Sequence, residues 1–107
     1  MELNIENLRM LCDSKSVMWR EHALKRMRER NIKKSDVINC IKTGEIIEQY
    51  PEDYPHPSCL VFGFDNEKFI LHAVCSDNDC ILWIITAYYP NNIKWQDDYK
   101  TRKVVKL

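Results

Sequence analysis

His22 and Arg26 stand four residues apart in "WREHALKRMRERNI", Trp19 to Ile32, a stretch with six basic residues (counting His22) and two acids. His72 in "FILHAVC", Tyr88 at the end of "CILWIITAYY" and Arg102 in "DYKTRK" complete a set of residue types that phosphodiester chemistry uses. A group titrating near neutral pH takes the proton of an attacking hydroxyl. A fixed guanidinium offsets the charge that grows on phosphate oxygens. No cluster of carboxylates suggests bound magnesium, so a metal-independent route fits, with no cofactor and no metal ligands.

These residues need elements to position them. Ile5, Leu8, Leu11 and Cys12 share a face at helical spacing and predict a first helix near residues 3–13. The basic stretch predicts a second helix over residues 19–31. At about 100° per residue, Trp19, Ala23, Leu24 and Met27 form its apolar arc. Arg30 projects inside that arc, and His22 and Arg26 lie along one edge, at the boundary of core and solvent. Ser35 is the expected N-cap of a third helix, and Gly44 falls where a left-handed residue would end it.

After Gly44 the pattern turns to strands. "EIIEQY", "CLVFGF", "FILHAVC" and "CILWIITAYY" read as four of them, the last nearly all apolar and therefore central. The first two are separated by the proline-rich "PEDYPHPS". The turns "DNEK" and "SDND" join the rest into an antiparallel meander. The tail "NNIKWQDDYKTRKVVKL" suits a helical turn and then a short basic strand. The expected fold is α+β: N-terminal helices on one face of a four-stranded antiparallel sheet, in a single domain over residues 1–107. Strand alternation puts His72 with Ile70 and Val74, Thr86 and Tyr88 with Leu82 and Ile84, and Glu48 with Ile46 and Tyr50. If the register aligns them, His72, Thr86, Tyr88 and Glu48 collect on one sheet surface.

Formal net charge is zero, but its distribution is uneven. Lys15 to Lys34 holds eight Lys/Arg against two Glu, whereas Glu48 to Cys80 holds one Lys against seven acids. A cationic face can serve a polyanion even on a neutral protein. No apolar run is long enough to span a membrane, and the N-terminus lacks the pattern of a signal peptide, so the cytoplasm is expected. The five cysteines have no CxxC spacing and read as small buried apolar residues. Cys75 and Cys80, flanking "SDND", are placed to face each other across a hairpin.

Taken together, "HALKRMRERNI", "GEIIEQYPEDYPHPS", "LHAV", "ITAYYPNNIKW" and "DYKTRK" resemble, in that order, the domain-of-unknown-function family numbered 4258. That family is similar to RelE-like and BrnT-like ribonucleases of bacterial toxin–antitoxin pairs. The resemblance implies a barnase–EndoU–colicin–RelE-like fold and metal-independent RNA cleavage by attack of the ribose 2′-OH. It also implies RNA, ribosome-bound or free, as substrate, and as partner a cognate antitoxin of the zinc-ribbon helix-turn-helix kind. The zero net charge and acidic middle depart from the pattern of such ribonucleases. Under this reading His72 or His22 is the base, Arg26 and Arg102 bind phosphate, and Tyr88 positions or protonates. Lys25, Arg30, Thr86 and Glu48 are the further substrate-binding candidates. The alternative is a non-catalytic protein-binding module that uses the same surface, with Trp95 and Tyr99 as aromatic anchors.

Overall fold

The computed structural model describes residues 2–104. Elements follow in the order α1 (Ile5–Asp13), β1 (Val17–Trp19), α2 (Glu21–Glu29), α3 (Lys34–Thr43), β2 (Glu45–Tyr50), β3 (Ser58–Phe64), β4 (Ile70–Asn78) and β5 (Ile81–Tyr88). The fold is α+β, but the sheet is five-stranded and mixed, ordered β1-β5-β4-β3-β2. This corrects the expected four-stranded antiparallel sheet. The added strand is Val17-Met18-Trp19, which pairs parallel with Leu82, Trp83 and Ile84. Trp19 therefore belongs to a strand, and the second helix starts at Glu21, after an extended Arg20 (φ −63°, ψ 140°) whose N–H bonds the Ile84 carbonyl at 3.2 Å.

The other helix ends also differ from the sequence reading. α1 starts after Asn4, whose side chain accepts from the Glu6 and Asn7 N–H groups at 2.8 and 3.3 Å. α3 starts before Ser35, because the Asp36 carboxylate reaches back to the Lys33 N–H at 2.9 Å. Gly44 is extended (φ −105°, ψ −170°), not left-handed. Its requirement is space: a Cβ there would lie 2.2 Å from the Phe62 carbonyl oxygen and 2.5 Å from that of Cys40. At Gly63 a Cβ would lie 2.0 Å from the same Cys40 oxygen. These two glycines let the end of α3 lie close against β3.

The helices cover one sheet face. Leu8, Leu11, Cys12, Ala23, Met27, Val37, Cys40 and Ile41 pack there against Cys59, Val61, Leu71, Ala73, Cys75, Leu82, Ile84 and Ala87. Two irregularities correct the simple alternation. One between Ile46 and Glu48 turns Ile46 toward the core while Glu48 and Tyr50 take the other face. One between Val74 and Cys75 shifts β5, so Leu82 and Ile84 face the helices while Thr86 and Tyr88, opposite Val74 and His72, do not.

The β4–β5 hairpin is tighter than expected, since its turn is only Asp79-Cys80, both at positive φ (53° and 60°). Cys80 is exposed in that turn, and Cys75 instead faces Cys59, with 3.9 Å between sulfurs and both thiols free. The central strand is β4; β5 is interior between β1 and β4. After β5, no helix or named strand forms among the described residues. Residues 90–104 fold back on themselves through a single bridge between Trp95 and Arg102 and a Lys103-to-Lys94 backbone bond of 2.9 Å. The expected basic strand falls partly on residues 105–107, which lie outside the described residues. Among the described residues no helix is long and apolar enough to cross a membrane.

Candidate functional site

The sheet face without helices holds the polar groups. His72 on β4 is opposite Tyr88 on β5 and Phe62 on β3. Its Nδ1 lies 3.3 Å from the Tyr88 hydroxyl, and its Nε2 lies 2.7 Å from the Tyr99 carbonyl oxygen. A carbonyl can only accept, so Nε2 carries the hydrogen and a neutral ring accepts at Nδ1 from Tyr88. The Trp95 ring stands edge-on against His72, with centroids 4.7 Å apart. The folded-back tail thus seals His72, which is 0% exposed. Tyr88, half-buried above it, opens outward.

Tyr88 and Trp95 line a cavity of about 420 Å³, rimmed by Arg30, Tyr89, Pro90, Asn91, Lys94 and Arg102. Three cations therefore surround one phenol. Arg30 ends α2, and its Nη1 donates to the Ala87 carbonyl at 2.8 Å. Arg102 lies over the Trp95 ring, 4.6 Å from its centroid, and donates to both Glu48 oxygens at 2.8 and 3.1 Å. That fork uses Nε and Nη2 and holds the guanidinium against Glu48. Glu48 also accepts from the Tyr50 hydroxyl. Burial raises the Glu48 pKa, but hydrogen bonds from Arg102 and Tyr50 outweigh it and hold the carboxyl below its usual range. Burial and the Glu48 contact push Tyr50 up to about 12. Tyr88 is raised too, chiefly by burial, with Arg102 opposing, so its hydroxyl stays protonated at neutral pH.

Of the residues singled out in the sequence, His72, Tyr88, Arg102 and Glu48 meet here, and Arg30 reaches the rim. Glu48 holds Arg102 rather than lining the cavity. Thr86 shares the face, opposite Val74. His22, Arg26 and Lys25 do not join them. Arg26 is exposed and occupied by Glu29 at 3.4 Å and the His22 ring at 3.5 Å. His22 lines a different cavity, beside Trp83. The sequence reading missed Lys94 as a rim residue and Trp95 as the lid on His72. The spacing from "PNNIKW" could have suggested only that both follow β5 closely. Among the described residues no three His, Cys, Asp or Glu side chains gather as a metal site.

His72 gives this site a pH dependence. Burial lowers its pKa from the ordinary 6.5, against the opposing pull of the Tyr99 carbonyl and Glu48. As pH falls below that value, the unfolded chain takes up the proton first, so stability is full above 6.5 and is lost on acidification toward the depressed folded value. Through His72, urea midpoints are expected to be flat just above neutral pH and to fall through the mildly acidic range. His72→Gln, which can still donate to Tyr99 and accept from Tyr88, is expected to remove that fall.

An α+β protein with a cation-rimmed tyrosine on the open face of a mixed sheet is the class that fold and site define. The chain belongs to the family described as Domain of unknown function (DUF4258), whose model matches residues 19–89. Lys94, Trp95 and Arg102 lie beyond that match, so the tail that closes the site is outside the region the family model covers. No curated protein and no solved structure matches the chain.

Proposed function

We propose that this protein is a metal-independent endoribonuclease of the toxin kind, related to RelE-like and BrnT-like toxins, that cleaves RNA by 2′-OH attack at Tyr88. The observation that carries the reading is the convergence of Arg30, Lys94 and Arg102 around a phenol that rests on a buried neutral imidazole. Three cations on one small concavity suit a phosphodiester, whose charge grows during the reaction.

In this mechanism the 2′-OH passes its proton to the Tyr88 oxygen while Tyr88 passes its own to Nδ1 of His72. The 2′-oxygen bonds phosphorus, the bond from phosphorus to the 5′-oxygen breaks, and the proton returns along the same path to the 5′-oxygen. The products are a 2′,3′-cyclic phosphate and a 5′-hydroxyl. His72 is a positioning and proton-holding residue, because it is sealed from the substrate. Incubating pure protein with total bacterial RNA in chelator tests this: cyclic-phosphate ends are expected, and intact RNA overturns it.

RNA affinity is expected to fall with salt, by about 0.7 in log affinity per log salt for each phosphate neutralised on a single strand. Arg30→Ala is expected to weaken binding more than Arg26→Ala or Lys25→Ala, since only Arg30 lines the cavity. Filter binding at two salt concentrations measures both effects, and equal losses in all three variants would move the phosphate path elsewhere.

The antitoxin belongs to the same proposal. Exposed Phe69 (61%) and Tyr89 (39%) line, with Ile70, Pro90 and Tyr99, an apolar groove of about 440 Å³ beside the cations. An antitoxin seated there would cover the site. The same groove favours the second reading, a non-catalytic partner-binding module. Trp95 is only 2% exposed and cannot be its anchor.

A further inference from the structure

The open face carries a second cavity, of about 370 Å³, lined by Arg20, His22, Tyr54, His56, Asn78 and Trp83 among others. It falls within the about 300–1,000 Å³ typical of small-molecule sites. Trp83 is opposite Ser76 on β4. Ser76 alternates with Val74 and His72, so Trp83 points to the same face as Tyr88. The Arg20 guanidinium lies 5.5 Å from the centre of the Trp83 ring. The polar walls nearest the sheet are already fixed: Asp53 accepts from Ser58, and Ser76 donates to the Pro57 carbonyl at 2.7 Å. What the cavity offers is an aromatic face with an arginine over it, and histidine and amide groups at the rim.

That combination fits a nucleobase. Unstacked bases are held on aromatic faces and guanidinium planes and are read along their edges by side-chain donors and acceptors. Trp83 and Tyr88 are five positions apart on β5, about 13–16 Å along a strand with one bulge. A few nucleotides of extended RNA cover that distance. We propose that the Trp83 cavity binds a nucleobase of the strand whose phosphate lies at Tyr88, stacking it on Trp83 beside Arg20, with His56 and Asn78 at its edge. This rests on the ribonuclease reading for the identity of the strand, while base binding itself is measured without cleavage.

The test follows the Trp83 indole N–H by NMR in the full chain, with the signal assigned by its loss in Trp83→Phe. The probes are the four nucleoside monophosphates, ribose 5-phosphate, and an RNA tetranucleotide made uncleavable by 2′-deoxy substitution. At least one nucleotide is expected to move the Trp83 signal and ribose 5-phosphate to leave it in place. The tetranucleotide is expected to bind more tightly than any monophosphate. Arg20→Gln, which leaves the sheet untouched, and Trp83→Ala are expected to weaken it about 5- to 150-fold, the range of one base–aromatic stack.

A signal unmoved by nucleotides, or moved equally by ribose 5-phosphate, overturns the base site. Equal affinity for monophosphate and tetranucleotide makes it a free-nucleotide site and overturns the link to the strand. RNA cleaved in chelator with a silent Trp83 removes this cavity's role and leaves the nuclease standing. A responsive Trp83 with RNA left intact does the reverse.

Discussion

Tyr88→Phe is expected to reduce RNA cleavage by about 10²–10⁴-fold, the usual worth of general acid–base help, while leaving RNA binding near wild type. Among the described residues, the phenol oxygen is the hydrogen-bonding group that reaches both the open cavity and His72 Nδ1, at 3.3 Å. Without it a substrate hydroxyl loses its path to His72, which is fully buried under Trp95. The three cations proposed to grip the phosphate are untouched by the change. Phe keeps the ring and its packing, so the structural cost is that of one unsatisfied buried ring nitrogen, about 1–3 kcal/mol. Single-turnover cleavage and filter binding, measured together, separate the two effects. Cleavage at the wild-type rate would remove Tyr88 from the chemistry. Loss of binding in parallel would show that it only grips.

Met27→Ala is expected to destabilise the fold by about 2–5 kcal/mol, out of a total of about 5–15 for a domain of this size. Met27 is 2% exposed, on the α2 face that meets the sheet beside Ala23, which is fully buried. The cavity left behind cannot be refilled by the rigid strand side chains beneath it. The same helix carries Arg30 at its end, so loosening α2 is also expected to weaken RNA binding. Lys25→Ala, on the exposed side of that helix, should stay within about 0.5 kcal/mol. Urea unfolding of both variants decides the matter. A loss below about 1 kcal/mol for Met27→Ala would mean that α2 is not packed as described.

What could be read ahead of the structure was what repeats locally. The helical spacing of Ala23 and Met27 identified the buried face of α2, because that periodicity is a property of the chain itself. Period-two alternation grouped His72 with Val74 and Glu48 with Tyr50 for the same reason, but left open whether the two pairs share a face. Where alternation broke, the reading broke with it. An extra residue in a strand costs little and leaves no mark in composition, so the bulges that turn Ile46, Leu82 and Ile84 inward were invisible. The parallel strand Val17–Trp19 was also missed, because three residues gain their pairing only from a β5 more than sixty positions away.

The sequence by itself determined the α+β class of the fold and the residue types available to the open face, since both follow from side-chain chemistry and short-range period. Only the tertiary structure decided which of them meet. It sealed His72 beneath Trp95, gave Arg102 to Glu48, and put Arg30 rather than Arg26 at the cavity. The reason is that a site is an intersection of distant segments. The path of the tail across the sheet depends on packing against side chains brought together by strand register, and register is a relation between strands that no single stretch contains.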